Sequence, residues 1–180
     1  MKNGHKKKNS LEIILELKEF IFCIALALIL AILINKFLIY SVTIPSESME
    51  PTLNVEDRLF ISKIYNYEKI QRGDILVFYS EEADDTYIKR VIGLPGDKVE
   101  IKLGKVYVNN EELVENYVEN NDDTFSATYE VPEGKYFFLG DNREISKDSR
   151  RWINPYIDEK DIQGKAQIRI YPLNRIGFIS

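Results

Sequence analysis

One cysteine and one histidine among 180 residues close off several kinds of chemistry before any motif is read. Cys23 has no partner for a disulfide within the chain, and with His5 it cannot assemble a zinc cluster. No metal or other cofactor is therefore expected, and a domain outside the cytoplasm must fold on its core alone. His5 lies in a tail with Lys2, Lys6, Lys7 and Lys8, far from every serine motif, so a Ser-His-Asp triad is excluded by inventory. Positive charge is also short, with a net −5 over the whole chain. The first 40 residues carry +3, which leaves −8 on the remainder; nucleic acid is not an expected partner. Internal repeats are absent. So is any long amphipathic helix beyond the N-terminal segment.

What the chain does have is one apolar run. From Phe20 to Ile34 every residue is apolar, and Phe37-Leu38-Ile39-Tyr40 extends it past Asn35-Lys36. The strict run spans about 22 Å as a helix; with its flanks it reaches the roughly 20 residues a bilayer needs. Lys36 and Tyr40 stand where snorkelling and aromatic anchoring are expected. A basic start followed by an apolar segment also describes a cleavable signal peptide. Against cleavage, Ile34 to Thr43 contains no Ala or Gly, and Ala25-Leu26-Ala27 falls inside the run. The segment reads as an uncleaved signal-anchor, and the positive-inside rule then leaves Met1 in the cytoplasm. The expected organisation is a basic tail with an interfacial segment over 1–19, a transmembrane helix over 20–40, and an extracytoplasmic domain over 41–180.

The texture after Ser41 is β. Arg58 to Ile64 and Asp74 to Tyr79 are short apolar runs between turn residues. Pro95-Gly96 suits a type II turn leading into alternating Val99 and Ile101, and Leu103-Gly104 and Asn109-Asn110 bracket Val106 and Val108 as a hairpin pattern. Glu111 to Asp123, acidic and rich in Asn, reads as a solvated excursion. Tyr129 to Val131, Lys135 to Leu139 and Ala166 to Tyr171 read as later strands. These observations predict a mostly β domain of about 140 residues, adequate for one core.

The stretch Ile44-Pro45-Ser46-Glu47-Ser48-Met49-Glu50-Pro51-Thr52-Leu53 holds two serines between two prolines. Each proline fixes its own φ and drives the preceding residue out of the α region, so no helix is expected between them. A surface turn is one reading; a rigid seat for a nucleophilic hydroxyl is the other. A nucleophilic serine needs a base, and with histidine excluded the remaining protease solution is a lysine kept neutral by apolar surroundings. Lys89, in Tyr87-Ile88-Lys89-Arg90-Val91-Ile92-Gly93-Leu94-Pro95-Gly96-Asp97, has those surroundings.

These two blocks, together with Arg72-Gly73-Asp74-Ile75-Leu76-Val77-Phe78 and Gly140-Asp141-Asn142-Arg143-Glu144-Ile145-Ser146-Lys147-Asp148-Ser149-Arg150, resemble in order the bacterial type I signal peptidases. Those are membrane-bound serine proteases that remove signal peptides from exported proteins. The resemblance covers most of the chain from Tyr40 onward and is nearest the short, single-span Gram-positive type. It implies a fold of coiled antiparallel β-sheets preceded by one transmembrane helix, with a smaller β excursion between the lysine block and the Gly-Asp-Asn-Arg block.

By position, Ser48 matches the family's nucleophile and Lys89 its general base. Ser46, with the Ser48 backbone N–H, matches the oxyanion hole. Ser146 matches a serine that hydrogen-bonds and orients the lysine, and Asp148 and Arg150 match a supporting ion pair. Asp141 and Arg143 look structural. Val42, Ile44, Pro45, Met49, Leu53, Tyr87 and Ile88 match the lining of a pocket that excludes bulk at P1 and P3, the Ala-x-Ala pattern; the same side chains can equally be core. Glu144-Ile145 departs from the usual Asp-Asn of the family. The implied partners are signal-peptide-bearing preproteins and the lipid bilayer, with a monomeric enzyme. Two other readings stay open: a specialised pilin-type or conjugal peptidase of the same superfamily, and an inactive membrane-anchored homologue serving as a binding module. A repressor-type autoprotease, which shares the dyad, is opposed by the apolar segment.

Overall fold

A computed structural model describes residues 10–179, leaving aside the side chains of residues 10–14 and 35. The basic tail with His5 lies outside the described residues. The chain divides into two compact units, residues 1–39 and 40–180.

The first unit is a single helix, α1 (Ser10–Phe37). Its stretch Leu15–Ile34 is 20 residues long with a mean hydropathy of 2.6. Large apolar side chains from Leu15 through Phe37 are exposed on every face, as expected of a helix whose solvent is not water. The helix ends at Phe37, short of the end at residue 40 expected for the transmembrane segment. Ile39-Tyr40-Ser41-Val42-Thr43 is β-prone, and it forms a strand whose Tyr40 and Val42 pack on the core of the second unit.

The second unit is mostly β and antiparallel. Its strands are β1 (Ile39–Thr43), β2 (Arg58–Lys63), β3 (Ile75–Ser80), β4 (Asp85–Gly93), β5 (Lys98–Lys102), β6 (Lys105–Val108), β7 (Glu111–Glu112), β8 (Ala127–Glu130), β9 (Lys135–Leu139), β10 (Tyr156–Asp158), β11 (Ile162–Tyr171) and β12 (Gly177–Phe178). Eight of them form one sheet in the order β1-β2-β11-β3-β4-β9-β10, with β12 also on β11; the other four form a second sheet, β7-β6-β5-β8. That smaller sheet is the excursion implied between the lysine block and the Gly-Asp-Asn-Arg block.

Turn chemistry explains the small sheet. Leu103 and Gly104, between β5 and β6, both have positive φ, as do Asn109 and Asn110 between β6 and β7. Two consecutive positive φ values give the turn whose twist matches a two-residue hairpin. Val99, Ile101, Val106 and Val108 then fall on one face and pack with Ile92, Phe137 and Leu139. A second cluster gathers Phe78, Val91, Tyr136 and Phe138. A third, around Ile44, Met49, Leu53, Leu59, Ile61 and Val77, lies beneath the Pro45–Pro51 turn.

Candidate active site

The proline-bracketed stretch is not α-helical, but it is not wholly extended either. Glu47–Met49 makes a single 3-10 turn, closed by Glu50 N–H donating to the Glu47 carbonyl at 3.0 Å. Pro51 restricts only Glu50, which is extended (φ −66, ψ 145); the three residues before it remain free to turn. The turn is fixed from below by Met49 and Leu53, both fully buried. Ser46 stays exposed, whereas Ser48 faces inward.

Lys89 reaches that serine from β4. Its Nζ lies 2.6 Å from Ser48 Oγ and donates to the Ile88 carbonyl at 3.1 Å. Ser46 Oγ and Ser48 Oγ are 3.3 Å apart. Lys89 is only 3 % exposed, and no carboxylate is within ion-pair distance of it among the described residues. Burial pushes the Lys89 ammonium down to about 8, against the pull of the Asp148 and Asp141 charges. The cause is the desolvation cost of an ammonium with no counter-ion against it.

The loop after β9 supports this pair. Asn142 N–H donates to the Ser48 carbonyl at 3.1 Å. Gly140 backs directly on the same carbonyl, and a Cβ there would overlap it and Ser146 Oγ. Only glycine allows this approach. Asp148 accepts from Gly140 N–H at 3.0 Å and holds Arg150 in a two-pronged pair, Nε at 2.9 Å and Nη2 at 2.9 Å. Arg150 also donates to the Arg143 carbonyl at 2.7 Å.

The structure places the remaining expected residues as follows. Ser146 is buried, but its hydroxyl makes no hydrogen bond; the expected bond to Lys89 is not formed, because the lysine amine is directed to Ser48 and Ile88 instead. Asp141 and Arg143 do not pair with each other. Asp141 accepts two bonds from Arg90, at 2.9 and 2.7 Å, and Arg143 is clasped by Glu115. A cleft of about 660 Å³ opens over Ser48 and Lys89. Of the seven side chains expected to line a pocket, Pro45, Tyr87 and Ile88 face it. Ile44, Met49 and Leu53 are core residues beneath, with Val42 packed on them; they are apolar and of the right size for either place, and burial takes them.

Sequence reasoning missed several residues. Glu47, Val55, Asp85, Thr86, Ile145 and Lys147 also line the cleft. Arg90, Glu115 and Gly140 hold its supports, although Arg90 and Gly140 stood inside motifs already singled out. The Glu111–Asp123 stretch is not simply solvated, since Glu115 and Tyr117 dock on buried arginines. Among the described residues no three His, Cys, Asp or Glu side chains converge as a metal group.

Comparison with known proteins identifies a family. The family described as "Signal peptidase, peptidase S26" matches residues 17–171. A signal peptidase I of Leptolyngbya laminosa is 42% identical over 170 residues, covering 89% of this chain and 83% of that protein. Signal peptidase IB of Staphylococcus aureus strain MRSA252 is 38% identical over 182 residues, covering 91% of this chain and 94% of its own. A solved signal peptidase I from Enterococcus faecalis V583 shares 36% identity over 54% of this chain and 96% of that one, with a TM-score of 0.48. On the extent of the family match and of these two relatives, the chain belongs to the signal peptidase family, peptidase S26.

Proposed function

We propose that this protein is a membrane-anchored endopeptidase that cleaves signal peptides from exported preproteins by a Ser48–Lys89 dyad. The observation that carries the reading is the 2.6 Å approach of Lys89 Nζ to Ser48 Oγ at a buried position, with no carboxylate within ion-pair distance of the lysine among the described residues. In its neutral form the lysine amine has one lone pair and two N–H groups. One N–H is occupied by the Ile88 carbonyl, so the lone pair can accept the Ser48 proton as Oγ attacks the scissile carbonyl. The Ser48 N–H and the Ser46 hydroxyl then receive the developing oxyanion. Collapse of the tetrahedral intermediate returns the proton from Lys89 to the leaving amine, and water hydrolyses the acyl-enzyme by the same route. Ser146, Asp148 and Arg150 support the lysine side of the site.

Extended binding of the substrate has a backbone argument. Strand β9 pairs with β4 only from Arg90 onward, so Asp85–Lys89 present an edge without a β9 partner along the cleft. A peptide laid on that edge as an added strand points alternate side chains inward. P1 and P3 then meet Pro45, Tyr87 and Ile88, and small residues are selected by exclusion of bulk. The helix α1 crosses the bilayer, with the preceding residues cytoplasmic and the domain from Tyr40 on the other side. The enzyme acts as a monomer without a cofactor.

Incubation of the detergent-solubilised protein with a preprotein, followed by mass determination of the new N-terminus, tests the activity and the cleavage rule together. Cleavage after Ala-x-Ala is expected from the native chain and none from Ser48→Ala. An uncut preprotein in both cases would favour the inactive-homologue reading.

A further inference from the structure

The acidic stretch between β7 and β8 belongs by chain order to the small sheet, yet it reaches the active-site supports at several points. Glu115 meets Arg143 with both carboxylate oxygens, one of the two contacts being 2.9 Å. Arg143 is almost wholly buried and donates its Nε to the Gly140 carbonyl at 3.0 Å. Gly140 is the residue that backs on the Ser48 carbonyl. Two residues along, the Tyr117 ring lies 3.9 Å from the guanidinium carbon of Arg90, the chain neighbour of Lys89. The Tyr117 hydroxyl donates to Glu115 at 2.7 Å, tying the two grips together. Farther on, the Asn120 carbonyl accepts from Glu144 N–H at 3.2 Å.

The charges around the site balance in pairs. Arg90 takes Asp141, Arg150 takes Asp148, and Arg143 takes Glu115. Lys89 is the buried cation left over among the described residues; it faces Ser48, the Tyr87 ring at 5.4 Å, and the more distant Asp148 and Asp141. Without Glu115, a buried guanidinium would stand uncompensated beside the Gly140–Asn142 backbone, with Asp148 the next acid to feel it.

We propose that Glu115 and Tyr117 are positioning residues for the Ser48–Lys89 pair. The loop of the small sheet grips Arg143 and Arg90, and through them it fixes the backbone behind the nucleophile and the charge balance around the lysine. This inference rests on the dyad reading above.

The test measures kcat and KM across pH for the full chain in detergent with a preprotein substrate. Glu115→Gln should lower kcat about tenfold or more with KM within about twofold. It should also move the acidic limb of the rate profile to lower pH, because an uncompensated Arg143 draws on Asp148, the charge that raises the proton affinity of Lys89. Glu115→Asp should recover most of both. Tyr117→Leu should lower kcat with the same unchanged KM. Glu112→Gln, an exposed ion-pair partner of Lys105 on the same sheet, should behave as wild type. A wild-type limb and kcat in Glu115→Gln, or a loss confined to KM, overturns the proposal. Circular dichroism reports whether Glu115→Gln folds; if it does not, Tyr117→Leu decides by the same kcat and KM criteria. Lys89→Met separates the two readings. If it retains turnover the dyad fails, and if it is inactive while Glu115→Gln and Tyr117→Leu are normal, only this inference falls.

Discussion

Lys89 and Arg90 are neighbours on β4, both cationic and both buried, and they have opposite fates. Arg90 meets Asp141 in a two-pronged pair, donates to the Gly73 carbonyl at 2.9 Å and lies against Tyr117. Its charge is fully compensated, as a guanidinium that cannot lose its proton requires. Lys89 points to the opposite side of the strand, where it finds a serine hydroxyl and a backbone carbonyl but, among the described residues, no carboxylate within ion-pair distance. An ammonium in that position is costly, so its proton affinity falls instead. One strand thus places a structural cation and a removable proton side by side, and the alternation of side chains along β4 separates them.

Breaking the lysine side should have the largest effect. Lys89→Met and Lys89→Arg should each remove nearly all turnover, by about 10⁴-fold or more, because the methionine thioether is not a base and a guanidinium keeps its own proton. The double variant Ser48→Ala with Lys89→Met should be scarcely worse than either single one, as residues acting together are not additive. Preprotein cleavage followed by gel and mass analysis checks this; wild-type turnover in folded Lys89→Arg would remove Lys89 from the reaction. Breaking the arginine side should show in stability instead. Arg90→Met or Asp141→Asn should cost about 3–5 kcal/mol by leaving the other member buried and alone. Denaturant unfolding of the domain measures it, and a loss under about 1 kcal/mol would mean that water reaches the pair.

How much of this was legible in the sequence follows the range of the interactions. Local features were readable: the Leu103-Gly104 and Asn109-Asn110 turns, the apolar helix, and most strand positions, since turn residues and alternation act within a few residues. The exclusion of histidine chemistry was readable by inventory, and it directed attention to Lys89, which the structure brings to Ser48 from 41 residues away. Partner choice among the charges was not. Asp141 and Arg143 are two residues apart, yet each is satisfied by a residue from a distant part of the chain, Arg90 and Glu115, and no local pattern encodes that pairing. The same holds for Met49 and Leu53. Apolar residues beside a candidate nucleophile suit a pocket wall or a core equally well, and only the packing assigns them to the core.

The depressed lysine also has a thermodynamic consequence. Its folded value of about 8 lies below its ordinary 10.5, so between those values the unfolded chain binds the extra proton. Stability from this group therefore rises as pH increases from about 8 to about 10.5, and the full cost applies below about 8. The difference corresponds to about 3 kcal/mol. Lys89→Met should accordingly be inactive yet more stable than the native domain at neutral pH, by up to about that amount. Its advantage should fade toward pH 10. Unfolding curves at pH 6, 8 and 10 check this, and a pH-independent difference would show that the lysine is paired in solution.

The smallest effect on stability is expected at Ser146. Its hydroxyl is buried with no hydrogen-bond partner, beside Gly140 and close to the Ser48 carbonyl. Removing a hydroxyl that makes no bond forfeits no bond and relieves a desolvated polar atom, so Ser146→Ala should change unfolding free energy by less than about 1 kcal/mol, in either direction. Activity is a separate matter. If Ser146 turns toward the Lys89 amine once the lysine has taken the Ser48 proton, the variant should lose kcat by about tenfold or more while its stability and KM hold. Ser146→Thr keeps a hydroxyl but adds a methyl group against Gly140, which has no room for it, so the alanine variant is the cleaner probe. Unchanged kcat in stable Ser146→Ala would leave Ser146 as packing alone, and the orientation of Lys89 would then rest on the Ile88 carbonyl.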